Sequence, residues 1–125
     1  MATLVERLAR DLLLDPGSAA ALASSFVRAT REDLEGLQAA VRAGDAGVIA
    51  SLAHHVKGAA ATLEIEAIRS RAEALELRAS VGDFAPLAGL LAGMNSELRR
   101  LEAELRQAGP PARRCRSPGG RPIFP

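Results

Sequence analysis

The sequence predicts an all-α fold: an antiparallel up-and-down four-helix bundle with a short additional N-terminal helix and a disordered C-terminal tail. Three observations carry this expectation. Ala (26) and Leu (18) supply 44 of 125 residues, and both head the helix propensity scale while strand formers are scarce. Apolar residues recur at steps of three and four almost everywhere before residue 108, the spacing of one helix face. The breaks between these runs carry helix stop and start residues. With 48% hydrophobic and 25% charged residues, the chain fits one soluble domain over 1–108 and a tail over 109–125.

The elements follow in order. Leu4, Leu8 and Leu12 define a first helix that ends near Asp15-Pro16-Gly17, because proline disfavours helical geometry in the residue before it. Ser18 is placed to cap the second helix, which runs from Ala19 to Ala43 on a stripe of Leu22, Phe26, Thr30, Leu34, Leu37 and Val41. Gly44 stops it and Asp45 caps the third, which passes through Val48, Ile49, Leu52, Val56 and Leu63. A fourth helix reads through Ile65, Ile68, Ala72, Leu75 and Ala79 and stops around Ser80-Val81-Gly82. Asp83 is placed to cap the last, through Leu87, Leu91, Met94, Leu98, Leu101 and Leu105. Short connections between long amphipathic helices favour antiparallel neighbours.

Charge and composition exclude several functions. Residues 1–108 carry 12 basic and 15 acidic side chains, and residues 109–125 carry four arginines and no acid. The helical part therefore has no basic excess with which to hold nucleic acid. Trp and Tyr are absent, so stacking on exposed bases is unavailable. The longest apolar run, Pro86 to Met94, is too short to span a bilayer. Glu6, Arg7, Arg10 and Asp11 interrupt the N-terminal apolar residues before a signal peptide can form. The single Cys115 offers no internal disulfide. A cytoplasmic, freestanding monomer with no membrane span is the expectation. The tail holds five of the seven prolines and is read as disordered, without a function of its own.

The third helix carries both histidines. On a wheel of about 100° per residue with His54 at 0°, Leu52, Val56 and Leu63 fall within about 20° of the opposite pole, with Ile49 and Ala59 beside them. His54 then faces outward among Ala50, Ser51, Lys57, Gly58 and Ala61, all small except the lysine. An imidazole nitrogen is a nucleophile at neutral pH, small neighbours let a partner's surface approach, and an ammonium one turn away balances phosphoryl charge. Gly58 costs about 1 kcal/mol relative to Ala in a helix interior. Lys57 is the one lysine beside fifteen arginines, a compact ammonium where a forked guanidinium is the rule elsewhere. His55 lies about 100° round the helix, at the border of this core, and is read as a packing or hydrogen-bonding residue. Adjacent helical residues diverge, so the pair makes no metal site. Glu64, Glu66, Glu73 and Glu76 read as solvated helix faces.

The stretch Ala53-His54-His55-Val56-Lys57-Gly58-Ala59-Ala60 resembles the signature of histidine-containing phosphotransfer (HPt) domains of multistep two-component phosphorelays. Leu37-x3-Val41-x2-Gly44-Asp45 upstream and Ile68-x3-Ala72-x2-Leu75-Glu76 downstream resemble the flanking helices of that family, so the resemblance covers roughly residues 20–106. It implies His54 as phosphoacceptor, Lys57 as the cation that stabilises the phosphoryl group, and Gly58 as the residue that keeps the approach open. Two departures stand out. Glu64 occupies a position often held by Gly, which bears on the helix end and on the charge near the docking face, and Ala72 replaces a frequent Cys.

The resemblance implies in-line attack by Nε2 of His54 on a receiver domain's aspartyl phosphate, followed by relay to a second receiver. Its partners are the receiver domains of a hybrid histidine kinase and of a response regulator. The docking face is Ala50, Ser51, His54, Lys57, Gly58 and Ala61, flanked by the first two helices. The chain needs no cofactor, since the Mg²⁺ sits on the partner. No glycine-rich phosphate loop is present, so the chain is expected to be a phosphocarrier without autokinase activity. The alternatives are a non-phosphorylated helical adaptor binding a signalling partner through the same face, and a helical module that dimerises through Ala50, Gly58 and Ala61.

Overall fold

The computed structural model describes residues 2–108; the expectations for Cys115 and for the 109–125 tail lie outside them. Five helices follow one another: α1 (Leu4–Asp11), α2 (Pro16–Ala43), α3 (Ala46–Thr62), α4 (Glu66–Ser80) and α5 (Leu87–Ala108). No strand occurs among the described residues. None of these helices is long and apolar enough to cross a membrane.

Local chemistry sets the boundaries, and three of them differ from expectation. Thr3 caps α1 in a reciprocal pair, its Oγ1 accepting from Glu6 N–H while Glu6 Oε1 accepts from Thr3 N–H. That helix stops at Asp11 rather than near Asp15, because Leu13 adopts a left-handed φ of 56°. The turned chain closes with Leu14 N–H on Ala9 C=O at 3.0 Å. Asp15, not Ser18, then caps α2: its carboxylate accepts from Ser18 N–H at 2.6 Å. Pro16 becomes the first helical residue, where its missing N–H is no loss. Asp83 does not cap α5, which begins four residues later at Leu87. Its N–H instead closes the end of α4 on Arg78 C=O at 2.9 Å.

The chain divides into two compact units. One comprises the described residues up to Ser25 together with those from Leu101. It buries Leu4, Leu8, Ala19, Ala23 and Leu101, and Leu4 N–H donates to Glu104 at 3.0 Å. The other, Phe26–Arg100, buries Phe26, Leu34, Leu37, Ile49, Val56, Ile68, Leu75, Leu87, Met94 and Leu98 among others. Each such Leu or Ile contributes about 1.5–3 kcal/mol by leaving water. Phe26 is the one buried aromatic among the described residues.

Within this second unit, α3 and α4 pack extensively on one another. The α2 helix comes close enough to α3 that a Cβ on Gly36 would stand 3.0 Å from Leu52 Cδ1. Arg31 reaches from α2 to Asn95 Oδ1 on α5 at 2.6 Å. The Arg71 side chain of α4 lies against Gly93 of α5, where no Cβ would fit beside it. This packing holds α3 between α2 and α4 and turns one of its faces to solvent.

Candidate functional site

The orientation of α3 decides what the site can do. Its buried residues are Ile49, Ala53, Val56 and Ala60, continued by Leu63, and Leu52 and Ala59 are only partly covered. At about 100° per residue, this stripe centres about 140° from His54, not opposite it. The outermost point of the helix is therefore Gly58, with His54 about 40° to one side and His55 about 60° to the other. His54 and His55 are almost equally exposed, at 69% and 68% of their side-chain surface. The expectation that His55 sits at the core border is thus corrected: the stripe runs through Ala53 and Ala60, which rotates His55 outward.

Each imidazole is held by a carboxylate from a different neighbouring helix. Nδ1 of His54 lies 3.0 Å from Glu76 Oε2 on α4, and Nδ1 of His55 lies 2.6 Å from Asp33 Oδ2 on α2. An ionised carboxylate only accepts, so Nδ1 is the donor in both pairs. The tautomer left to each neutral ring carries its lone pair on Nε2.

Glu76 has a second partner. Its Oε1 lies 2.7 Å from Lys57 Nζ, so one carboxylate joins the cation and the imidazole of α3. The hydrogen bond from Lys57 first, and then its charge and the His54 contact, hold the Glu76 carboxyl below its ordinary value of 4.5. This corrects the reading of Glu76 as a solvated helix face; its side chain is 27% exposed. Glu73, by contrast, belongs to a surface ladder in which Arg69 bonds Glu73 at 2.8 Å and Glu66 at 2.6 Å. The Arg69 guanidinium is pushed further into its charged form by both, and the Glu66 carboxyl is held below its usual range by Arg69.

The remaining residues singled out from the sequence share this face. Ser51, Gly58 and Ala61 are exposed and Ala50 is half-buried. A Cβ on Gly58 would meet nothing within 4 Å, so the fold itself has no use for the missing side chain there. Thr62 Oγ1 donates to Gly58 C=O at 3.0 Å, one turn from the helix end. Beside Lys57 an open hollow is lined by Lys57, Glu73, Glu76, Leu77 and Ser80, and Leu77 is 60% exposed.

The end of α3 accounts for Glu64. Glu64 takes a left-handed φ of 55°, with Glu64 N–H on Ala61 C=O at 3.1 Å and Ile65 N–H on Ala60 C=O at 2.8 Å. This is the closure that Gly44 provides after α2 at φ 69°. The backbone thus terminates in the same way with Glu as with Gly, at a cost of about 1–2 kcal/mol for a side chain in that region.

Sequence reading misses Asp33 and Glu76, which lie 22 residues before His55 and 22 residues after His54. No helical period links positions on separate helices, so only packing reveals the pairs. Among the described residues, no three His, Cys, Asp or Glu side chains come together as metal ligands. No curated protein and no solved structure matches the chain. The family model of the Hpt domain matches residues 21–108, a span that includes both histidines, Lys57, Gly58 and the two carboxylates that orient the rings, and the chain belongs to the Hpt domain family.

Proposed function

We propose that this chain is a histidine phosphotransfer protein, in which His54 accepts a phosphoryl group from a receiver-domain aspartyl phosphate and passes it to another receiver in two-component signal transduction. The observation that carries the reading is the Lys57–Glu76–His54 chain, at 2.7 and 3.0 Å, on an exposed face of a member of the Hpt family. Supporting it, Glu76 holds Nδ1–H and leaves Nε2 free as the nucleophile. As the N–P bond forms, the ring becomes cationic and the Glu76 carboxylate offsets that charge. Lys57 supplies an ammonium one turn away, and Gly58 leaves the approach open.

The donor's oxygen–phosphorus bond breaks as the nitrogen–phosphorus bond forms, and the released aspartate stays on the receiver. This chain contributes the nucleophile, its orientation and the docking face of Ala50, Ser51, His54, Lys57, Gly58 and Ala61, while Mg²⁺ held by the receiver would supply charge neutralisation. It acts as a phosphocarrier rather than an enzyme, in a cytoplasmic relay, as a monomer. An antiparallel up-and-down bundle of α2–α5 is the arrangement that suits this role. The interface is modest in area, because one face must release one receiver to meet the next.

The test incubates the protein with a phosphorylated receiver and Mg²⁺ and follows acid-labile, alkali-stable phosphate. Wild type takes up label and His54→Gln takes up none. Equal label on both proteins would overturn the assignment of His54. Absence of label from a broad receiver panel, with binding retained by His54→Ala, would favour the adaptor.

A further inference from the structure

We propose that His55 is a second phosphoryl-accepting imidazole, oriented by Asp33 and served by small phosphoryl donors rather than by the Lys57 flank. Three observations carry this. His55 is as exposed as His54, at 68% against 69%. Its Nδ1 is tied to a carboxylate at 2.6 Å, which fixes the ring and leaves Nε2 as the free nucleophilic nitrogen. The clearing round His54 serves His55 equally: Gly58 is four residues after one and three after the other, Ser51 three before one and four before the other. Residues at those spacings share a helix face.

The two flanks differ in charge. Glu76 is shared with Lys57, whereas Asp33 pairs with His55 and with no cation among the described residues. A donor that brings its own positive charge therefore suits His55. Phosphoramidate does, because its nitrogen is protonated. The Nε2 lone pair attacks phosphorus, the donor's P–N bond breaks, and ammonia leaves. The ring becomes an Nε2-phosphoimidazolium whose Nδ1–H remains on Asp33, and the carboxylate offsets the charge gained. No proton, oxidant or further reactant is required, and the proposal stands independently of the receiver reading.

The experiment treats the full chain with potassium phosphoramidate and reads phosphorylation by intact mass and by peptide mapping at alkaline pH. His54→Gln is expected to take up one phosphoryl group at His55, and the double variant His54→Gln/His55→Gln none. Adding Asp33→Asn to His54→Gln keeps a hydrogen-bond acceptor without its charge and slows labelling roughly tenfold. In an Asp33→Asn chain that keeps both histidines, the rate at His54 serves as an internal reference for folding. The proposal is overturned if folded His54→Gln labels no faster than the same chain in urea, since His55 would then be an ordinary exposed imidazole. It is equally overturned if Asp33→Asn leaves the His55 rate unchanged. Receiver-driven labelling of His54 is measured separately, so failure of one reading leaves the other intact.

Discussion

His54 and His55 are adjacent in sequence, nearly equal in exposure, and each bound through Nδ1 to a carboxylate, yet they face different electrostatic surroundings. The α4 flank of His54 holds a cation within reach of the same carboxylate, with Lys57 Nζ 2.7 Å from Glu76. On the α2 flank His55 pairs with Asp33, for which no cation partner is found among the described residues. On the proposed reading, a receiver's phosphoryl group would bring several negative oxygens to the surface, and the flank with an ammonium suits it. Ring orientation is thus a property shared by both histidines, and charge compensation distinguishes them.

The steepest loss of transfer is expected at Gly58, which stands between the two rings. Gly58→Gln places a side chain at the outermost point of α3 and should slow receiver-driven transfer on the order of a hundredfold, the scale of a misplaced reacting pair. The variant should keep or gain stability, because nothing lies within 4 Å of the new Cβ and glycine is a poor helix former. Transfer kinetics beside a urea titration check both halves; unchanged rates would remove the steric role.

Next in size is Glu76→Ala, which frees Nδ1 of His54 and releases Lys57. We expect transfer from a receiver to fall roughly tenfold to a hundredfold, with labelling of His55 by phosphoramidate unaffected. Equal losses at both rings would show that the flanks are not separable.

The same carboxylate gives a smaller, pH-dependent effect. Because Glu76 is held below its ordinary value of 4.5 in the folded chain, the unfolded chain binds its proton first as pH falls. Its stabilising contribution is therefore full above about pH 4.5 and is lost as pH drops through the lowered folded value. Partial exposure limits it to less than about 1 kcal/mol. The stability difference between wild type and Glu76→Gln should shrink below about pH 4.5; a difference that grows there would reverse the sign of the linkage.

The smallest expected change concerns two helix ends with one geometry. Gly44 and Glu64 both occupy left-handed positions, at φ 69° and 55°. Glu64→Gly should stabilise the chain by about 0.5–1 kcal/mol, the strain relieved less the extra freedom that glycine gives the unfolded chain. Urea midpoints check it, and a loss of stability would mean that the Glu64 side chain offsets its own strain.

Much of the helical plan is legible locally. Gly44 and Asp45 mark the α2–α3 junction because a left-handed glycine and a capping carboxylate act within four residues, and Asp45 does accept from Val48 N–H at 3.2 Å. The α1–α2 junction misleads because the Asp15-Pro16 pair carries two signals. Proline there starts the next helix beneath an Asp cap, while a leucine in an unusual conformation ends the previous one. Leu13 gives no sequence sign of a positive φ, since that conformation is imposed by the chain on either side.

Reading along the chain is enough to show that the described residues are helical, where α3 and α4 begin and end, and that His54 and Gly58 face outward. These follow from propensity, capping and a 3.6-residue period, all of which act along one stretch of chain. Helix packing fixes which carboxylates meet the two imidazoles and which of them also holds a lysine. It likewise rotates His55 out of the core border. Burial is a property of the neighbours that close over a helix, and Asp33 and Glu76 arrive from separate helices whose approach no local period encodes.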